Sequence, residues 1–253
     1  MTVGQQTGAR IRFEQGIEGG RAVATGDEVL VVVVDVLSFS TCVSVAADRG
    51  VVVIPARWGA GRAAGRSGGP SAEDLARRYD AELAGPRSGG GVSLSPASIR
   101  RADLAPRLVL ASPNGATICA ELAGTESLVV GCLRNTAAVA RRCEEHLQRD
   151  PRSSVAFVAA GERWDDGSLR PAPEDVWGAG AIIEALGRDD VASIEALAAG
   201  DSFRAALARG LPLDELTSGR ELVATGFAED VAIAGELDAS ALVPSLVRGA
   251  FVV

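Results

Sequence analysis

Four short apolar runs along the chain each end at a polar residue and pass directly into a segment with helical periodicity. The runs cover residues 29–34, 108–111, 128–131 and 155–159. Continuous Val and Leu runs of this length are typical of strands buried on both faces, as in a parallel sheet covered by helices. The pattern therefore predicts an α/β fold, three-layer α/β/α, with a largely parallel central sheet.

The remaining segments extend this prediction over residues 1–253 as a single α/β domain. A first strand at 11–13 and an irregular stretch to residue 26 precede the central strand, which a helix at 40–49 follows. Residues 57–69, rich in Gly and Arg, predict a flexible loop or lid. From about residue 190 the pattern is helical, which predicts a packing segment without chemistry and a final strand at 250–253.

Composition narrows the classes of function. The net charge of -8 argues against a nucleic-acid-binding protein, which needs a basic face. All 25 basic residues are Arg, so neither Schiff-base chemistry nor a phosphate-loop lysine is available. An anion must therefore be held by Arg, by backbone N–H groups or by a metal ion.

The cysteines and the single histidine offer no obvious chemistry. Cys42, Cys119, Cys132 and Cys143 have neither CxxC nor zinc-ligand spacing, which predicts buried thiols. His146 lies among charged residues whose pattern predicts a solvated helix face. No run reaches membrane-spanning length and the first 28 residues lack a signal-peptide pattern, so we expect a cytoplasmic protein without membrane contact.

Polar residues follow the four apolar runs. They are Asp35, Asn114, Asn135 and Glu162. Ligands bind outside the carboxyl ends of parallel strands, so we expect these four side chains to gather at one edge and to act in catalysis. For Asp35, Asn114 and Asn135 the alternative is a structural role in the turn or at the start of the helix that follows.

Helix starts at the same edge offer donors for an anion. Ser38, Ser40 and Thr41 follow the first central run, and Ser112 and Gly115 belong to the turn after the second. Free N–H groups and hydroxyls at a helix start bind anions. We therefore expect these residues to contact substrate, with a purely structural turn as the alternative.

Carboxylates complete the candidate site. Glu174 and Asp175 open a predicted helix, where acids also stabilise the helix dipole. With Asp35 and Glu162 they form an oxygen-rich set of the kind that Mg²⁺ prefers. These four acids are the expected metal ligands.

An ordered set of short motifs resembles the 2-phosphosulfolactate phosphatase family. The motifs are Asp35-Val36-Leu37, Ser95-Pro96, Ser112-Pro113-Asn114-Gly115, Asn135, Gly161-Glu162 and Glu174-Asp175 ahead of Gly178-Ala179-Gly180-Ala181. The resemblance implies an α/β fold and Mg²⁺-dependent removal of phosphate from phosphosulfolactate, a step towards coenzyme M. It runs from about residue 29 to 185.

The chain departs from this family pattern at two places. Ser38 stands where the family usually has Arg, which removes a guanidinium suited to phosphate or sulfonate. Arg87 is kept in a loop resembling the family's Gly-Glu-Arg-Gly-Gly. The family's Gly-Ser-x-x-Asn becomes a segment containing Arg134, a candidate for supplying the missing charge.

The leading hypothesis is a Mg²⁺-dependent phosphatase acting on a small anionic phosphate ester, with a homodimer as the default assembly. Arg87 and Arg134 join the substrate-binding set. Water is the default nucleophile, and a covalent intermediate through Asp35 or Ser112 stays open. The alternatives are an inactive metabolite-binding protein of the same fold and a nucleotide-dependent transferase, although the chain lacks a Gly-x-Gly-x-x-Gly fingerprint.

Overall fold

The computed structural model describes residues 6–26, 28–59 and 69–253, so most of the predicted loop at 57–69 lies outside the described residues. The strands are β1 (Ile11–Gln15), β2 (Val29–Val34), β3 (Val52–Arg57), β4 (Glu82–Leu83), β5 (Arg107–Ser112), β6 (Ser127–Gly131), β7 (Ser154–Ala159), β8 (Glu162–Arg163), β9 (Leu169–Arg170), β10 (Ser245–Val247) and β11 (Ala250–Val252). The α-helices are α1 (Gly16–Val23), α2 (Phe39–Asp48), α3 (Ala72–Tyr79), α4 (Pro96–Arg101), α5 (Gly115–Glu121), α6 (Thr136–Leu147), α7 (Pro173–Leu186), α8 (Ile194–Arg209), α9 (Thr217–Ala224) and α10 (Ala228–Ala234).

The main sheet combines two parallel blocks. Its strand order is β1-β7-β2-β6-β10-β11-β3-β5-β4. Strands β1, β7, β2 and β6 run parallel, and so do β3, β5 and β4. The antiparallel hairpin β10–β11 joins the blocks through one pair on each side, Ser245 with Val129 and Phe251 with Val53. The predicted largely parallel sheet is confirmed.

Strand β2 is buried on both faces, as its valine run predicts. Val31 and Val33 belong to one core with residues of α2 and α5. Val32 and Val34 belong to a second core with residues of α6, α7 and α8. The sheet therefore lies between two helical layers, and the three-layer α/β/α prediction is confirmed.

The sheet curls around the first of these cores. Four strands separate β2 from β5 in the sheet order. Even so, Val31 of β2 and Leu108 of β5 share the same buried cluster, together with Phe251 of the hairpin. The curvature brings the end of β5 towards the end of β2, although the two strands are not neighbours.

Two local predictions are wrong. Residues 16–23 form α1 rather than an irregular stretch, because packing against β1 and β7 outweighs the low helix propensity of its glycines. His146 is buried instead of solvated, and its Nε2 lies 3.3 Å from the Glu28 carbonyl oxygen. The prediction for the thiols is confirmed, since all four cysteines are free and buried.

The segment beyond residue 190 contains α8, α9, α10 and the closing hairpin, so the predicted final strand is part of a two-stranded unit. Within the described residues, no helix has the length and apolarity needed to cross a bilayer.

Candidate active site

Asp35 lies directly after β2 and is buried. Its Oδ1 accepts the Phe39 N–H at 3.1 Å, and its Oδ2 accepts the Gly115 N–H at 2.8 Å. A Cβ on residue 115 would lie 2.7 Å from that Oδ2 atom, so only glycine lets α5 begin this close to the carboxylate. Asp35 therefore joins the starts of α2 and α5 at one point.

Glu162 lies beside Asp35 after the end of β7. The side-chain amide of Asn114 donates from Nδ2 to Glu162 Oε2 at 2.8 Å. Burial raises the pKa of Glu162 to about 7, and the nearby charge of Asp35 adds to the shift. Three of the four polar residues that follow apolar runs thus lie together.

Asp175 and Glu174, in the first turn of α7, belong to the same cluster. Asp175 accepts N–H bonds from Val36 at 2.7 Å and from Gly161 at 2.9 Å, so it joins the ends of β2 and β7. Burial raises the pKa values of both carboxyls, and the charge of Asp35 raises them further. Oε2 of Glu174 is buried and has no hydrogen-bond partner among the described residues.

The expected binding hydroxyls divide into two groups. Ser40 accepts the Asp35 N–H at 3.0 Å, Thr41 donates to the Val36 carbonyl at 2.7 Å, and Ser112 accepts the Asn114 N–H at 3.2 Å. These three buried groups hold the backbone around the site. The Ser38 hydroxyl instead contacts a charged side chain.

That side chain is Arg87, in the loop before α4. Its Nη2 donates to Ser38 Oγ at 2.7 Å, and its Nε donates to the Leu94 carbonyl at 2.8 Å. The positive charge of Arg87 lowers the pKa of Asp35, although burial outweighs it and the net shift is upward. Arg87 therefore lies within electrostatic range of the acidic cluster.

Arg134 and Asn135, expected at the same edge, have other partners. Arg134 pairs with Asp48 at 2.7 Å and also with Glu236. Asn135 accepts the Cys132 N–H at 2.9 Å and donates to the carbonyl oxygens of Val130 and Leu242. The suggestion that Arg134 replaces the missing family arginine stays a prediction, and a substrate would have to compete with these two acids for its charge.

Two residues that the sequence did not single out lie near the cluster. Arg170 on β9 lowers the pKa values of Glu162 and Glu174 through its charge, while both its terminal nitrogens bind Glu221 at 2.8 and 2.9 Å. Asp230 on α10 lies 3.9 Å from Arg87 Nη2. Asp230 lies in the first turn of α10, within the segment predicted to be packing without chemistry, and it is buried.

The carboxyl cluster can be compared with what a magnesium ion requires. Among the residues that the structure describes, no group of three or more acids, histidines or cysteines is arranged to hold a metal ion. Mg²⁺ is usually held by one or two carboxylates together with water and substrate phosphate, so a preformed cage is not required. The unpartnered Glu174 oxygen and the mutual repulsion of the acids both suit a cation.

A curled α/β sheet with acids, an amide and an arginine near the carboxyl ends of its strands defines an α/β enzyme that acts on an anionic substrate. The family model described as 2-phosphosulpholactate phosphatase matches residues 20–249. The chain belongs to this family and is a phosphoric monoester hydrolase, which confirms the resemblance carried by its motifs. A search among curated proteins finds no match.

Proposed function

We propose that the protein is a Mg²⁺-dependent phosphatase that hydrolyses a small phosphate monoester, with 2-phosphosulfolactate as the first candidate substrate and sulfolactate and phosphate as products. One observation supports this most strongly. Asp35, Glu162, Asn114 and Arg87 come from separate parts of the chain, yet contacts and charge interactions join them in one cluster.

We assign the metal ion to Asp35 and Glu174. Asp35 is fixed by two N–H donors, and Glu174 carries the unpartnered buried oxygen. Asp175, like Asp35, accepts one backbone N–H group on each oxygen, and it joins Val36 to Gly161, so we keep it as a further candidate ligand of the same ion. When bound, Mg²⁺ would neutralise phosphate oxygens and position the attacking group.

Glu162 is the candidate for proton transfer. A carboxyl whose pKa is about 7 exchanges a proton readily at neutral pH, and the Asn114 amide holds one of its oxygens in place. It would take the proton of an attacking water, while Arg87 stabilises the charge that develops on the phosphoryl oxygens.

The arginines near the carboxyl cluster determine how the negative charges of a substrate can be balanced. With Ser38 in place of the family arginine, and with Arg134 and Arg170 engaged by acids, Arg87 is the principal cation of this cluster among the described residues. We infer that a substrate with several anionic groups, 2-phosphosulfolactate included, depends on Arg87 and the metal ion to balance its charge.

The test is phosphate release by the purified full chain from a panel of small phosphate esters that includes 2-phosphosulfolactate. We expect release with Mg²⁺ and its loss with a chelator, restored by added Mg²⁺. Thermal stabilisation by an ester without release at any metal concentration would instead support the inactive metabolite-binding alternative. Release that is indifferent to the chelator would overturn the metal assignment alone.

A further inference from the structure

Asp230 has a buried carboxylate oxygen that its local packing does not use. The side chain lies on α10 and is 1% exposed. Its Oδ2 has no hydrogen-bond partner among the described residues, and the nearest cation is Arg87 Nη2 at 3.9 Å. Burying a charge without a bonding partner is costly, so such an atom calls for a role beyond packing.

The other oxygen of Asp230 anchors the segment that carries Arg87. Oδ1 accepts the Ser95 hydroxyl at 2.6 Å and the Ala97 N–H at 3.1 Å. Ser95 in turn caps α4 by accepting the Ser98 N–H at 3.2 Å. Arg87 is tied to the same segment through the Leu94 carbonyl, so one carboxylate holds the loop and faces the guanidinium.

A neighbouring aromatic ring on the same side supports the guanidinium. The Cζ atom of Arg87 lies 5.2 Å from the ring centroid of Phe227, the residue that precedes α10. A cation over an aromatic face is attracted by the ring quadrupole. The start of α10 therefore supplies two separate contacts to one arginine, although the sequence indicated no chemistry in this part of the chain.

We propose that Asp230 is a positioning residue for Arg87, holding the guanidinium away from the acidic cluster so that it remains available to the phosphoryl group. The reason is competition between carboxylates. Arg87 is close enough to Asp35 for their charges to interact, and a guanidinium that paired with Asp35 would occupy a ligand of the metal ion. Asp230 offers the arginine a second negative partner. This role rests on the proposed function, in which Arg87 stabilises charge on phosphate.

The decisive variant is Asp230→Asn, assayed by phosphate release with Mg²⁺. The amide oxygen can still accept from Ser95 and Ala97, so the loop stays anchored while the charge facing Arg87 is lost. We expect kcat to fall by about tenfold, with KM changed far less and the unfolding temperature near wild type. Glu229→Gln is the matched control, because it removes a charge from the adjacent position, where Glu229 is more exposed and pairs with Arg101.

A double-mutant cycle with Arg87→Met separates positioning from general packing. If Asp230 acts through Arg87, the Arg87→Met/Asp230→Asn variant should be no slower than Arg87→Met alone. Additive losses, or full activity of Asp230→Asn, would overturn the positioning role. If Asp230→Asn fails to fold, Asp230→Ser replaces it in the same cycle, because it also removes the charge and should show the same non-additivity. Phe227→Leu removes the ring contact alone and should cause a smaller loss that also disappears with Arg87→Met.

The proposed function and the positioning role fail in different ways. A wild-type protein that releases phosphate from no ester overturns the proposed function and, with it, the role of Asp230. An active wild type that is slowed by Arg87→Met but not by Asp230→Asn or Phe227→Leu overturns only the positioning role.

Discussion

The ends of β2 and β6 look alike in sequence but differ in what their polar side chains contact. The two strands are parallel neighbours, with Val34 opposite Gly131, and each leads through polar residues into a helix. After β2, burial raises the pKa values of Glu162, Glu174 and Asp175, and the charge of Asp35 raises them further. After β6, the polar atoms of Asn135 are bonded to backbone groups, and Arg134 is paired with two acids.

The difference shows which strand end has capacity left for a ligand. Around Asp35 several carboxyl groups lie together, and a buried Glu174 oxygen has no hydrogen-bond partner within the described part of the chain, which costs folding free energy. Around Asn135, the polar side chains are already bonded to other groups of the protein. We therefore propose that the side chains after β2 act in catalysis and that those after β6 have a structural role. The following predictions test this division.

The largest expected effect is on catalysis at the β2 end. Asp35→Asn keeps an acceptor for one N–H group but loses the negative charge assigned to the metal ion. We expect phosphate release to fall by about 10²–10³-fold or more, the range seen when a preorganised electrostatic group is removed. Activity is measured against the best ester of the panel, with circular dichroism as the control for folding. Near-wild-type turnover would remove Asp35 from the mechanism.

The next effect is a pH-dependent change in stability at Glu162. Its folded pKa of about 7 exceeds the ordinary 4.5, so the folded state keeps a proton that the unfolded chain releases between these values. The stability that this carboxyl contributes is present below pH 4.5 and is lost as the pH rises through 7. The free energy of unfolding of Glu162→Gln, relative to that of wild type, should therefore increase by up to about 3 kcal/mol between pH 4.5 and pH 8.

Urea unfolding of metal-free protein at several pH values measures this gain. Glu145→Gln, which changes an exposed glutamate of α6, is the control and should follow the wild-type curve. If the difference in unfolding free energy between Glu162→Gln and wild type stayed constant with pH, it would contradict the raised pKa of Glu162.

Alanine substitutions of Asn135 and Asn114 should separate the structural role from the catalytic role. Asn135→Ala leaves a backbone N–H and two carbonyl groups without a side-chain partner, so unfolding free energy should fall by about 2–4 kcal/mol. Activity per folded molecule should be unchanged. Asn114→Ala loses one hydrogen bond to Glu162, so stability should fall by about 1 kcal/mol while kcat drops clearly.

These variants are compared by urea unfolding together with kcat corrected for the folded fraction. The division would fail if Asn135→Ala were stable but inactive, since its amide would then have to act on substrate.

The smallest expected effect concerns Ser38. Ser38→Ala removes the hydroxyl that accepts from Arg87. A hydrogen bond to a charged group contributes at least about 1.5 kcal/mol, so activity should fall by about tenfold. The loss should disappear in an Arg87→Met background. A loss that persists there would show that the Ser38 hydroxyl contacts substrate directly.

Much of the fold could be predicted from local pattern. The valine run before Asp35 required a strand buried on both faces, and the polar residues after the runs identified strand ends. Parallel strands then required Asp35 and Glu162 to lie on one side of the sheet. These conclusions depend only on side-chain polarity and period.

The rest depends on partners that lie far along the chain. Asn135 is bonded to Leu242, 107 residues away, and Arg134 to Glu236, 102 residues away, so their structural roles were not visible locally. Asp230 lies in a first helical turn, where acids are ordinary. Only the packing of α10 against α4 shows that this carboxylate is buried beside Arg87.

The hairpin β10–β11 also affects when the sheet can close as the chain is synthesised. Nearly all the proposed catalytic and metal-binding groups have been translated by residue 175, but only the hairpin connects the two parallel blocks within the sheet. A ribosome-bound chain that has not yet released residues 245–252 therefore carries those groups without the strand pair that closes the curl. We therefore expect activity to appear only after residues 245–252 have joined the sheet.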